Sequence, residues 1–176
     1  MSTKLKIAAA VAAAVLLSAC SSPKHEPMPL VKFTPSMEVT EVWSKGLSSA
    51  EGFLVPAVYD DMVFAAGGKT LTRLNARTGE TEWSVSFNSP ITGGVGSDGY
   101  VTAVGLWDGN LEVVDAEGKV SWEKKLTTEL ASPPVVSHGL VIARTMDTRV
   151  SAFEASSGEL QWTCLLYTSP SPRDRS

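Results

Sequence analysis

Asn75-Ala76-Arg77-Thr78-Gly79-Glu80-Thr81-Glu82-Trp83, Asp115-Ala116-Glu117-Gly118-Lys119-Val120-Ser121-Trp122 and Glu154-Ala155-Ser156-Ser157-Gly158-Glu159-Leu160-Gln161-Trp162 are three versions of one phrase, and that phrase decides the fold. In each the glycine stands four positions before the tryptophan, and the middle copy has lost one residue ahead of its glycine. With Trp43 the tryptophans recur at intervals of 40, 39 and 40 residues, whereas the fifth, Trp107, is out of phase. Self-similarity at a fixed period of this size is the mark of a repeat architecture. Gly79, Gly118 and Gly158 supply the positive φ that a tight connection between twisted strands demands. The polar residue three or four places earlier can bond back to the turn backbone.

Working outward, each period holds two further short apolar strands ahead of the phrase: Met62–Ala66 with Thr70–Leu74, Tyr100–Val104 with Asn110–Val114, and Leu140–Ala143 with Arg149–Phe153. Turn residues divide them at Gly67-Gly68, Trp107-Asp108-Gly109 and Met146-Asp147-Thr148. Ahead of these lie Val55–Val58, Ser89–Thr92 and Ser132–Val136, whose prolines suit a strand start with no donor to spare. Four antiparallel strands per period of about 40 residues is a β-propeller blade. The chain is therefore expected to be all-β, with three four-stranded blades over residues 39–163. Val39–Leu47 reads as a further strand that would close a ring. A sandwich gives no reason for tryptophan to return after the same glycine. In a propeller the reason is packing: the last strand sets a large ring against the neighbouring blade, so Trp43, Trp83, Trp122 and Trp162 are expected as core between blades.

The N-terminus reads as an export signal. Lys4 and Lys6 precede an apolar run, Ile7–Leu17, too short for the roughly 20 residues that span a bilayer as a helix. Leu17-Ser18-Ala19-Cys20 then has the form of a bacterial lipobox, which makes residues 1–19 a signal peptide and Cys20 the acylated first residue of the mature chain. More than one acyl chain, at about 0.8 kcal/mol per buried methylene, anchors stably. Residues 20–38, with Pro23, Pro27, Pro29 and Pro35, read as an extended tether.

Composition narrows the function classes. Formal charge is −4, and loss of Lys4 and Lys6 takes it to −6, so no Lys/Arg stripe suited to a phosphate backbone is present and a nucleic-acid partner is not expected. Two cysteines and two histidines are too few and too scattered for a zinc site or a disulfide framework. No metal or cofactor is expected.

The pattern Ala-x-(Thr/Ser)-Gly-x-x-x-Trp resembles the PQQ-like β-propeller repeat. Together with the lipobox, the tether and the phrases Pro134–Val141 and Ser151–Glu154, the chain resembles the PQQ-repeat lipoproteins of the outer-membrane β-barrel assembly (BAM) complex of Gram-negative bacteria, over about residues 1–163. The resemblance implies an eight-bladed ring without catalytic activity, anchored through Cys20 at the periplasmic face of the outer membrane. It implies BamA, the BAM complex and unfolded β-barrel clients as partners. Ser21 after the cysteine implies outer-membrane sorting. The residues through which that family contacts BamA have no match here.

Residues 164–176, Cys164-Leu165-Leu166-Tyr167-Thr168-Ser169-Pro170-Ser171-Pro172-Arg173-Asp174-Arg175-Ser176, match no repeat and resemble a translated sequencing-library adapter, so they read as a non-native tail on a truncated chain. Two other function classes compete. A PQQ-dependent dehydrogenase shares the propeller but needs a quinone pocket, Ca²⁺ ligands, a carboxylate base and, in many members, adjacent cysteines. Asp60, Asp61, Asp98 and Asp108 fall in turns, where solvated turn residues are the simpler reading, and His25 and His138 read as structural. A periplasmic ligand-binding lipoprotein would use exposed aromatics, for which Trp107 is the candidate, against its reading as a hairpin aromatic partly packed on the blade edge.

Overall fold

Period-two alternation, broken every few residues by glycine or an acidic turn, gives three antiparallel sheets of four strands each in a computed structural model that describes residues 28, 30, 36–48 and 54–166. The first blade is β1 (Ala57–Tyr59), β2 (Met62–Gly67), β3 (Thr70–Asn75) and β4 (Thr81–Ser86). The second is β5 (Ile91–Ser97), β6 (Thr102–Leu106), β7 (Asn110–Val114) and β8 (Val120–Lys125). The third is β9 (Val135–Ser137), β10 (Leu140–Arg144), β11 (Arg149–Glu154) and β12 (Leu160–Leu165). Within each sheet the strands lie in chain order, and the described residues contain no helix. The three-blade, all-β expectation holds.

The core sits between blades rather than inside one. The middle blade is apolar on both faces. Ala103, Leu111 and Val113 join Val141, Ala143 and Phe153 of the third blade, while Val104, Leu106 and Val114 join Phe64, Ala66 and Leu71 of the first. All five residues of β6 are buried, as expected for a strand covered on both sides. By contrast every residue of β12, against which no further blade packs among the described residues, is exposed.

Several boundaries move. The lead-in prolines stand just ahead of the first strands, since β1, β5 and β9 start at Ala57, Ile91 and Val135. Gly67 pairs inside β2, opposite Thr70. β6 starts at Thr102 and not Tyr100, because the Asp98 carboxylate accepts the backbone N–H groups of Tyr100 and Val101 and prolongs the turn. Residues 38–48 form no strand, against the closing strand expected over Val39–Leu47. Extended chain at that position has no third strand of its own blade to pair with. β12 also runs past Thr163: Cys164 pairs with Val150 and Leu165 with Arg149. Main-chain pairing is indifferent to sequence, so the loss of repeat character at Cys164 does not end the strand.

Candidate docking interface: blade junctions, grooves and outer edges

Each junction is built from the repeated phrase. In the third strand of every blade the register shifts by one residue, at Arg73/Leu74, Val113/Val114 and Ala152/Phe153, and the residue before each tryptophan is left unpaired. Such a bulge turns the following side chain off the regular pleat. The rings of Trp83 and Trp122 then lie over the turn of the next blade. Their indole N–H groups donate to the carbonyls of Ala116 and Ala155, each at 2.8 Å. Trp43 does the same to the Ala76 carbonyl at 2.8 Å, although its own segment forms no strand. It thus takes the place of a fourth-strand tryptophan belonging to a blade before the first.

The three glycines have the expected positive φ, 72°, 81° and 71° at Gly79, Gly118 and Gly158. Their amides donate to the carbonyls of Asn75, Asp115 and Glu154 at 2.9, 3.1 and 2.8 Å, closing the turn. The Asn75 and Asp115 side chains also accept turn amides, whereas Glu154 accepts the Ser157 hydroxyl instead. A second reason for glycine was not visible in the sequence. A Cβ at these positions would lie 2.6, 2.7 and 2.7 Å from the rings of Trp43, Trp83 and Trp122. Ring and glycine are therefore one interlocking unit across the junction. Trp162, expected in the core like the others, is 44% exposed, since no following turn among the described residues covers it.

Grooves run beside two of the three junctions. The one between the second and third blades has a volume of about 380 Å³, with Lys124 of β8 on one wall and Ser151 and Thr163 on the other. Its mouth carries Arg149, paired with Asp147 at 3.0 Å. The Thr145 hydroxyl donates to Asp147 at 2.5 Å and holds its carboxyl below the usual range, with Arg149 adding to the effect. The groove between residues 45–48 and the first blade, about 280 Å³, has Lys45 facing Thr72 and Ser84. Lys45 and Lys124 both stand two residues after a junction tryptophan. Among the described residues β4, β8 and β12 close each sheet without a further strand, and their outer edges offer main-chain donors and acceptors for pairing.

The side chains weighed for chemistry are spread over the surface. Asp60 has a positive φ of 48° at the β1–β2 turn, Asp61 pairs with Arg77 at 3.0 Å, and Asp108 accepts the Asn110 amide. His138, φ 53°, exchanges a 2.7 Å hydrogen bond with Ser137 in the β9–β10 turn. Trp107 is 58% exposed in the β6–β7 turn, more open than a packed edge aromatic. Among the described residues no three His, Cys, Asp or Glu side chains converge as metal ligands. Cys20 and His25 lie outside the described residues. Among the described residues the arrangement offers surfaces and edges.

Comparison with known proteins accords with this geometry. A family model described as "Outer membrane protein assembly factor BamB" matches residues 39–90 and 67–173. The outer membrane protein assembly factor BamB of Burkholderia pseudomallei is 38% identical over 160 residues, which are 88% of this chain and 42% of that protein. The crystal structure of BamB from Moraxella catarrhalis superposes with a TM-score of 0.58 at 25% identity, over 65% of this chain and 35% of its own. The quinohemoprotein alcohol dehydrogenase ADHIIG from Pseudomonas putida HK5 superposes with a TM-score of 0.56 at 22% identity, over 66% of this chain and 21% of its own, which is a likeness of fold alone. The chain thus spans about two fifths of the assembly factor's length or less.

Proposed function

This chain belongs to the family of the outer membrane protein assembly factor BamB, and on that premise we propose that it serves as a non-enzymatic, lipid-anchored platform of the BAM complex. In this reading Cys20 carries the acyl anchor, the tether of residues 20–38 sets the blades off the periplasmic face of the outer membrane, and BamA is the docking partner. The observation that carries it is the family match running through all three blades, and the lipobox form of Leu17-Ser18-Ala19-Cys20 supports the anchor. Rigid blades with exposed outer edges suit a platform. An extended client segment can add to an edge through main-chain hydrogen bonds, which accept many sequences. Fold likeness to dehydrogenases lends little to an enzyme reading, because the residues such chemistry would need do not come together among those described.

Deletion of the complete gene in its own host is expected to lower outer-membrane porin levels, and the tagged protein to recover BamA on purification. Unchanged porins with no BamA recovered would reject the proposal. Quinone-dependent alcohol oxidation by the purified protein would move it to the enzyme class. Separately, labelling with a radioactive fatty acid is expected to mark the wild-type chain and to be lost in Cys20→Ala. A labelled Cys20→Ala chain, or a mature N-terminus at another residue, would remove the anchor from the reading.

A further inference from the structure

The three blades are superposable in register, and at one position the middle blade breaks their rule. In the first blade Thr72 of β3 faces Ser84 of β4, and in the third Ser151 of β11 faces Thr163 of β12. Each pair is joined hydroxyl to hydroxyl at 3.0 Å. The equivalent pair in the second blade is Glu112 of β7 facing Glu123 of β8. All three pairs stand one residue before the register shift, on the blade face turned to the preceding blade. Glu112 lies there in β7 between Leu111 and Val113 and is only 8% exposed.

The opposite wall is altered as well. Lys45 and Lys124 line the grooves that hold the hydroxyl pairs, but the residue two places after Trp83 is Val85, packed on the apolar cluster between the first and second blades. The carboxylates therefore sit where the repeat provides hydroxyls, and the lysine that could neutralise them is a valine. Other charged groups nearby do not replace it. Asp108 is a third negative group, and the Lys125 ammonium is engaged by the Asp108 carbonyl oxygen. On the first blade Arg73 is held by Glu82 at 2.6 Å and by the Ala116 carbonyl at 2.9 Å, and Lys69 by the Asn88 carbonyl at 2.8 Å.

We propose that Glu112 and Glu123 share one proton in the folded chain, a carboxylic acid donating to a carboxylate where the sister blades use two hydroxyls, and that this makes the junction of the first and second blades a pH-sensitive joint. Two unprotonated carboxylates directly across an antiparallel pair repel, and one of them is out of water. Burial, then the charge and hydrogen bond of Glu123, then Asp108, push the Glu112 carboxyl from an ordinary 4.5 up to about 7. Between the unfolded value of 4.5 and the folded value of about 7 the folded chain binds more protons than the unfolded one. Stability therefore falls as pH rises through that window and levels off above it. The joint is tight in mild acid and strained above neutrality.

The test is a carbon-13 NMR titration of the full chain labelled at glutamate carboxyls, with urea unfolding at pH 5.5 and pH 8. One glutamate signal is expected to titrate near 7, to vanish in Glu112→Gln and to move down in Val85→Lys. The folding equilibrium constant is expected to drop by about tenfold or more between the two pH values in the wild type, because each pKa unit is a factor of ten. It is expected to stay level in Glu112→Thr/Glu123→Ser, which restores the hydroxyl pair of the first blade. If that double variant does not fold, Glu112→Gln supplies the same comparison. All glutamates titrating below 6, or a folded Glu112→Gln chain with the wild-type pH response, would overturn the proposal.

Discussion

Gly118→Ala is expected to destabilise the chain by about 2–5 kcal/mol, and the reason separates into two parts. A left-handed backbone costs an L-residue about 1–2 kcal/mol, and Gly118 sits at φ 81°. The added Cβ would also lie 2.7 Å from the Trp83 ring, which is pinned by its own 2.8 Å bond to the Ala116 carbonyl. Overpacking of that kind costs about 1–3 kcal/mol more. Gly139 provides the control, since its φ is 73° and an added Cβ would meet nothing within 4 Å. Gly139→Ala should therefore show the backbone part alone. Urea unfolding of the two variants beside the wild type measures both, and equal losses would mean that the ring exerts no steric demand on the glycine.

That glycine shows how far the sequence could be read. Positive φ at Gly79, Gly118 and Gly158 followed from a local requirement, the turn between two strands, and local requirements leave local patterns. The blade count and the all-β class followed from the recurrence of the same pattern. The contact of glycine with the ring of the preceding blade joins residues 35 or 36 apart, and nothing in either phrase alone announces it. β5 was under-read for a related reason. It runs on through Gly93, Gly94 and Gly96 to Ser97, a stretch poor in side chains to betray a strand. A Cβ on Gly94 or Gly96 would lie 2.8 Å from the Pro133 side chain or 1.9 Å from the Pro134 carbonyl oxygen. The glycines are explained by what passes over them, the lead-in to the next blade.

The tryptophans were legible as a set and illegible as individuals. Their spacing assigned all four to the core, yet Trp162 is exposed, because burial depends on a following turn and none among the described residues covers it. The Glu112–Glu123 pair was missed altogether. Each residue alone reads as an ordinary polar position in a strand. Only the register, which sets them opposite one another and in line with the hydroxyl pairs of the neighbouring blades, makes them a unit.

The same dependence on a neighbour makes the two truncations Trp122→Ala and Trp162→Ala expected opposites. Trp122 lies against Gly158, stands 6.1 Å from the Phe153 ring between centroids, and donates to the Ala155 carbonyl at 2.8 Å. Removing it opens a cavity at the edge of the cluster shared by the second and third blades and leaves a carbonyl without its donor. Loss of a packed tryptophan costs about 3–5 kcal/mol. Trp162 occupies the same place in its own phrase but has no partner turn and no indole hydrogen bond among the described residues, so its truncation should stay within about 0.5 kcal/mol, as for other surface substitutions. Trp122→Phe falls between, keeping a ring in the junction while losing a hydrogen bond worth about 1 kcal/mol. Unfolding of the three variants decides the matter: if Trp162→Ala costs as much as Trp122→Ala, the tryptophans stabilise their own blades, and the interlock across junctions is not what holds the sheets together.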